Sequence, residues 1–198
     1  LTYIVREPRL IRPANYPRLM DAPGRGADVF VTPDGMRVLV INVLGRVHMD
    51  PMDDPFSAVE RELDAAPLGV VADAVIVDIH AEVTSEKMAM GHFCDGRASL
   101  VVGTHTHVPT ADAQILPHGT AFQTDAGGCC DYDSVIGNDK EEPLRRFTTR
   151  LSGGRYAPAH GPATICGVFV ETDDRTGLAK RIEPIRVGGR LKQSIPTL

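Results

Sequence analysis

The sequence of 198 residues has no tryptophan, only 5% aromatic residues and four cysteines. Four cysteines without a C-x-x-C pair are too few for a disulfide scaffold, so the expected compartment is a reducing cytoplasm. The longest mostly apolar stretch, 68–79, contains Asp73 and Asp78, and it is far shorter than the roughly 20 apolar residues of a membrane span. A net charge of −5 argues against bulk electrostatic binding of nucleic acid.

Ordinary values of 42% hydrophobic and 24% charged residues predict one globular domain over 1–198. Residues 1–27 contain several prolines and are expected to be irregular. Helices are predicted from Pro55 to Ala66, from a Thr84 or Ser85 cap to about His92, and over Glu141–Arg150. Strands are predicted at Asp28–Thr32, Met36–Leu44, Ala74–Ile79, Leu100–Val102, Ala113–Leu116, Thr120–Thr124, Ala163–Glu171 and Ala179–Ile185. This order indicates an α/β or α+β fold with a layered sheet.

Three histidines, His80, His105 and His107, come at or just after the ends of predicted buried strands. Open α/β sheets place their sites at the carboxyl ends of strands, where loops converge. In an extended His-x-His segment both rings lie on the same side, and neutral imidazole is a common ligand of transition metals. The pattern therefore favours a metal site over three solvated loop histidines.

Two carboxylates flank the first of these histidines. If the segment is extended, Asp78, His80 and Glu82 share a face, so either acid could bind the ion or orient the imidazole. Alternatively, Asp78 caps the following loop and Glu82 is solvated. Asp125 also ends a predicted strand and is a weaker candidate, for which a structural role is the simpler interpretation.

The adjacent cysteines Cys129 and Cys130 are the other reactive groups. A structural or incidental role is favoured for both. A cysteine hydrolase remains an alternative, and it requires a histidine that activates the thiolate.

The segment Gly103-Thr104-His105-Thr106-His107, with His80 ending an earlier strand, resembles the metal site of calcineurin-like metallophosphoesterases. Several further blocks are similar to the YmdB-like bacterial phosphodiesterases and occur in the same order. These blocks are Arg12–Asn15, Asp53–Phe56, His80–Glu82, Thr84–Lys87, Asp95–Ala98, Gly103–Val108 and Thr110–Asp112.

The resemblance implies a β-sandwich flanked by helices, with two divalent ions (iron, manganese or zinc) at its edge. It assigns His80 and His105 to one ion and His107 to the other. A bridging water between two ions would then attack a phosphodiester, such as a cyclic nucleotide. The partner expected is this small substrate, and a homo-oligomer is also compatible with the sequence.

One departure from the family concerns its first metal-binding segments, which carry the general-acid histidine and precede the block at Arg12. We therefore expect the chain to be the C-terminal two-thirds to three-quarters of the family domain, without the N-terminal strands. By itself it is expected to be weakly active or inactive. The alternative is a non-catalytic binding or scaffold domain with an incomplete metal site.

Overall fold

The computed structural model describes residues 2–17 and 20–197. Its helices are α1 (Thr2–Arg6), α2 (Pro55–Ala65), α3 (Thr84–Cys94) and α4 (Glu141–Thr149). Its strands are β1 (Ala27–Val31), β2 (Arg37–Leu44), β3 (Ala74–His80), β4 (Leu100–Thr104), β5 (Gln114–Ile115), β6 (Ala121–Gln123), β7 (Ile165–Thr172) and β8 (Ala179–Val187). Each strand predicted from the sequence is therefore confirmed, with bounds that differ by at most two residues.

Six strands form one mixed sheet in the order β1-β2-β3-β4-β6-β5. Strands β2, β3, β4 and β6 are parallel neighbours, whereas β1 and β5 pair antiparallel at the two edges. Strands β7 and β8 form a separate antiparallel pair. The expected mixed α/β class is confirmed. The chain forms one large sheet and one small sheet.

The core lies between one face of the large sheet and the helices α2 and α3. Alternate residues of the central strands point into it, as the period of two in a strand requires. The buried residues on this face are Leu39, Ile41 and Val43 of β2 and Val75, Val77 and Ile79 of β3, packed with Val59, Leu63, Met90 and Cys94 of the helices. The intervening residues lie on the opposite face, where the strands end in polar side chains.

The starts of α2 and α3 differ in how they are capped. Asp54 accepts hydrogen bonds from the main chain of Phe56 and Ser57, and Pro55 occupies the first turn, as the sequence predicts. The predicted cap of α3 is wrong, because Val83 occupies the N-cap position and Thr84 already lies in the helix. An apolar Val83 offers no side-chain oxygen to the first amides.

The N-terminal segment is more ordered than its prolines suggest. Thr2–Arg6 forms one helical turn, which is too short to show a helical period in the sequence. Buried Asn15 accepts from the Leu44 amide at 2.9 Å and donates to the carbonyls of Leu44 (2.7 Å) and Asp53 (3.0 Å). These bonds tie the segment to the carboxyl end of β2. Residues 18 and 19 of the segment predicted to be irregular, and residue 1, lie outside the described residues.

In the part of the chain that the structure describes, none of the helices is both long and apolar enough to cross a membrane.

Candidate functional site

The carboxyl ends of three parallel strands place a chain of polar side chains on the face opposite the helices. Asn42 pairs in register with Asp78, and His80 pairs with Thr104. The Asn42 amide donates to Asp78 Oδ2 at 2.7 Å, and the Thr104 hydroxyl donates to Asp78 Oδ1 at 3.1 Å. Thr104 Oγ1 also lies 3.0 Å from His80 Nδ1. Because its single proton is used on Asp78, Thr104 accepts from Nδ1, which leaves the lone pair of His80 on Nε2.

That nitrogen faces the second histidine. His80 Nε2 lies 3.1 Å from His105 Nδ1, and the two rings meet edge to face with centroids 4.8 Å apart. On its other side, His105 Nε2 lies 2.7 Å from Glu82 Oε2. The structure thus brings His80, His105 and Glu82 into one contiguous cluster.

Burial shifts the pKa values of His80 and Asp78. It lowers the pKa of His80, and the neighbouring His105 lowers that pKa further. Burial also raises the pKa of Asp78, although hydrogen bonds from Asn42 and Thr104 oppose the shift. A neutral imidazole is the form that binds metal ions, so the surroundings of His80 favour that form.

The segment that carries His105 and His107 is not extended. Both residues have positive φ, 111° and 64° respectively, so the alternation expected for an extended His-x-His segment is wrong. Backbone in such regions costs of order 1–3 kcal/mol per residue, and it persists where surrounding contacts over-determine it.

Asp125 supplies such contacts. Its Oδ2 accepts from the main chain of Thr106 at 2.9 Å and from Lys87 Nζ at 3.0 Å, and its Oδ1 accepts from the Gly127 amide at 2.9 Å. Burial opposes ionisation, but these hydrogen bonds outweigh it and hold the pKa of Asp125 below its ordinary value. Asp125 therefore fixes Thr106, the residue between the two histidines. The Asp125 carboxylate contacts main-chain amides and Lys87.

Gly103 makes this arrangement sterically feasible. A Cβ at this position would lie 1.8 Å from the carbonyl oxygen of Thr124 and 2.7 Å from Lys87 Cδ. Strand β4 can approach the end of β6 and the buried lysine only because residue 103 has no side chain.

His107 lies apart from the contacts that join His80 and His105. Its carbonyl accepts from the Tyr132 hydroxyl at 3.0 Å and from the Gly128 amide at 3.1 Å. Within residues 2–17 and 20–197, no three His, Cys, Asp or Glu side chains converge into a group that could hold an ion. The ligand role of His107 stays a prediction.

The cysteines do not have the surroundings of a nucleophile. The exposed Cys129 thiol donates to the carbonyl of Cys166 at 3.4 Å. Burial raises the pKa of Cys130, whereas a catalytic thiolate needs a lowered pKa. The geometry thus gives no support to a cysteine hydrolase.

A family model described as YmdB-like protein matches residues 1–185. The chain belongs to this family. It is 44% identical over 180 residues to a Bacillus subtilis protein named 2′,3′-cyclic-nucleotide 2′-phosphodiesterase, a match that covers 91% of the chain and 66% of the relative. The curated relatives that it matches are longer, and the chain spans 63% to 66% of their length.

Two solved structures share the fold of this YmdB-like chain. A hypothetical protein from Thermus thermophilus is 40% identical with a TM-score of 0.84, over 95% of this chain and 71% of that one. A protein from Mycoplasma pneumoniae described as a novel phosphatase is 33% identical, also with a TM-score of 0.84, over 95% and 66% of the two chains.

Three residues of the YmdB-like site were not identified as site residues from the sequence. Asn42 lies in an otherwise apolar strand, and Thr104 lies between Gly103 and His105, so nothing around either residue marks it as part of a site. Lys87 is fully buried although it is charged. Only Lys87 gives a usable signal, because it lies one turn away from buried Met90 on the face that α3 packs against the sheet.

Proposed function

We propose that this protein is a metal-dependent phosphodiesterase that hydrolyses small phosphodiesters, such as cyclic nucleotides, at the carboxyl ends of β3 and β4. The observation that carries the proposal is the His80–His105 pair, with nitrogens 3.1 Å apart. The name of the Bacillus subtilis relative supports the substrate class.

The chemistry of the donor set fits divalent transition metals. Imidazole nitrogen and carboxylate oxygen suit iron, manganese and zinc, and the His80, His105 and Glu82 side chains lie next to one another. We propose His80, His105 and His107 as the ligands of a dinuclear site. When bound, the ions would polarise the phosphoryl oxygens and activate water.

The protein's own contribution is to orient these ligands. The Asp78–Thr104 pair holds His80 Nδ1 and so presents Nε2 toward the site. Asp125 holds the main chain of Thr106 and thereby fixes the direction from which His105 approaches. Glu82 keeps the His105 ring against His80 and supplies a negative charge.

We also place the protein in the cytoplasm. All four cysteines are free thiols, and Cys129 is exposed to solvent. Free thiols suit a reducing compartment.

The test is a comparison of histidine and cysteine variants, made on this chain together with any flanking residues that its gene encodes. We would measure bound metal and the hydrolysis of bis-nitrophenyl phosphate and a 2′,3′-cyclic nucleotide after loading with Mn²⁺, Fe²⁺ or Zn²⁺. Replacing His80, His105 or His107 with Ala should lower both bound metal and hydrolysis, while circular dichroism stays unchanged.

The matched control is His118→Ala, since His118 is an exposed histidine paired with Asp95, which precedes the amino end of β4 rather than its carboxyl end. Cys129→Ser and Cys130→Ser should also leave hydrolysis nearly unchanged. Inactive cysteine variants beside active histidine variants would contradict the proposal. Metal bound without any hydrolysis would favour the non-catalytic binding domain.

A further inference from the structure

A cavity of about 370 Å³ opens directly beside His107. Its wall consists mainly of apolar side chains, contributed by Val108, Tyr132, Val135 and Ile136. A volume in the range of about 300–1,000 Å³ is typical of small-molecule sites. The cavity is large enough for a ligand group, and it adjoins the segment that carries His105 and His107.

The two hydroxyl groups of this wall are already used within the protein. The Tyr132 hydroxyl lies 3.0 Å from the carbonyl of His107 and 2.9 Å from that of Gly128. Ser134 Oγ donates to the carbonyl of Asp131 and accepts from the Gly137 amide at 2.8 Å. Apart from the His107 ring and the Cys130 thiol, the wall therefore offers apolar and aromatic surface.

Ile136 occupies a backbone position that isoleucine rarely adopts. Val135 and Asn138 exchange two main-chain hydrogen bonds around Ile136 and Gly137, whose φ values are 48° and 89°. Such a two-residue turn favours Asn-Gly, because β-branched residues are strained at positive φ. The side chain is nevertheless 55% exposed, so the protein core does not account for the strained isoleucine.

We propose that this cavity receives the nucleobase of the substrate, with Ile136 and Tyr132 packing against the faces of the base. The inference rests on the proposed phosphodiesterase function and adds to it a place for the nucleoside. A base is planar and apolar on its faces, and its polar edge would point out of the open cavity into water. Because the two hydroxyls of the wall are used internally, purines and pyrimidines should both bind, with little discrimination by these hydroxyls.

The experiment measures binding of adenosine, uridine and ribose to the chelator-treated chain by calorimetry or saturation-transfer NMR. Adenosine and uridine should bind and ribose should not. Ile136→Asn should weaken adenosine binding about five- to tenfold, the effect of losing part of one apolar side chain's burial. The same substitution relieves the strained turn, so the free energy of unfolding should stay the same or rise.

The control is Ile195→Asn, which changes an isoleucine of similar exposure outside the cavity. It should leave adenosine binding unchanged. Ile136→Gly repeats the test if the asparagine variant is unstable, since glycine also accepts positive φ. The proposal is overturned if adenosine does not bind, or if the variants at 136 bind it as tightly as wild type.

A second arm separates this inference from the proposed hydrolysis. We would compare kcat/KM for 2′,3′-cyclic AMP and for the 2′,3′-cyclic phosphate of methyl riboside, which has no base. Ile136→Asn should lower the first value and leave the second unchanged, and an equal effect on both contradicts the base site. If the chain binds adenosine but hydrolyses neither compound, the proposed phosphodiesterase function is wrong and the proposed base-binding site still stands.

Discussion

Lys87 and Asp125 form an ion pair that is closed off from solvent. Nζ lies 3.0 Å from Oδ2, and the two side chains are 0% and 1% exposed. The same carboxylate accepts a hydrogen bond from the main-chain amide of Thr106, the residue between His105 and His107. A charge on helix α3 is thereby connected to the backbone that presents the two histidines.

Removing the lysine should destabilise the protein, since it leaves a buried carboxylate without its partner. We expect Lys87→Met to lower the free energy of unfolding by about 3–5 kcal/mol, measured by urea denaturation. Lys140→Met removes an exposed lysine that pairs with Asp133 at 2.9 Å, and it should change stability little. Equal effects of the two substitutions would mean that the buried pair has no special role.

A side chain at Gly103 should be poorly tolerated. The Cβ of Gly103→Ala would meet the Thr124 carbonyl at 1.8 Å, so strands β4 and β6 must move apart. We expect a loss of more than about 3 kcal/mol in the free energy of unfolding, or no soluble protein. Gly167→Ala in β7 is the control, because its Cβ has open space, and it should be neutral or slightly stabilising.

The sequence predicts the framework of this site better than its details. The β-branched run ending at His80 and the glycine before His105 predict parallel strands whose carboxyl ends meet, and the register of His80 with Thr104 agrees. The positive φ of His105 and His107 could not be predicted, because that conformation is uncommon even for histidine. The contact that holds Thr106 in place comes from a residue 19 positions away along the chain.

The hydrogen bonds between side chains of neighbouring strands could not be predicted from the sequence either. Asn42 and Asp78 are 36 positions apart and meet only because β2 and β3 pair in one register. Strand register depends on the packing of the whole sheet and not on either strand alone. Conversely, the start of α2 was predictable, because Asp54 and Pro55 act within their own turn.

The Thr104 hydroxyl should matter for metal binding more than for folding. Thr104→Val keeps the shape of the side chain but removes the hydroxyl that joins Asp78 to His80. We expect a drop of about 10–100-fold in metal affinity or activity, measured by metal titration and by hydrolysis. Thr172→Val, a strand threonine of the small sheet, is the control and should have no effect on either. Unchanged metal affinity in Thr104→Val would show that this hydroxyl does not orient a ligand.

The ion pair between Arg37 and Asp73 should make stability depend on pH in the acid range. Arg37 Nη2 lies 2.6 Å from Asp73 Oδ1, and its hydrogen bonds lower the pKa of Asp73 from 3.8 to about 2. Because the folded pKa lies below the unfolded one, the stabilisation is complete above about pH 4 and is lost as the pH falls toward 2. We expect Asp73→Asn to flatten the plot of unfolding free energy against pH between these values. Arg37→Met should flatten it in part, since it removes the guanidinium but keeps the hydrogen bond from the main-chain amide of residue 37 to Asp73. A slope that Asp73→Asn retains must come from other carboxylates.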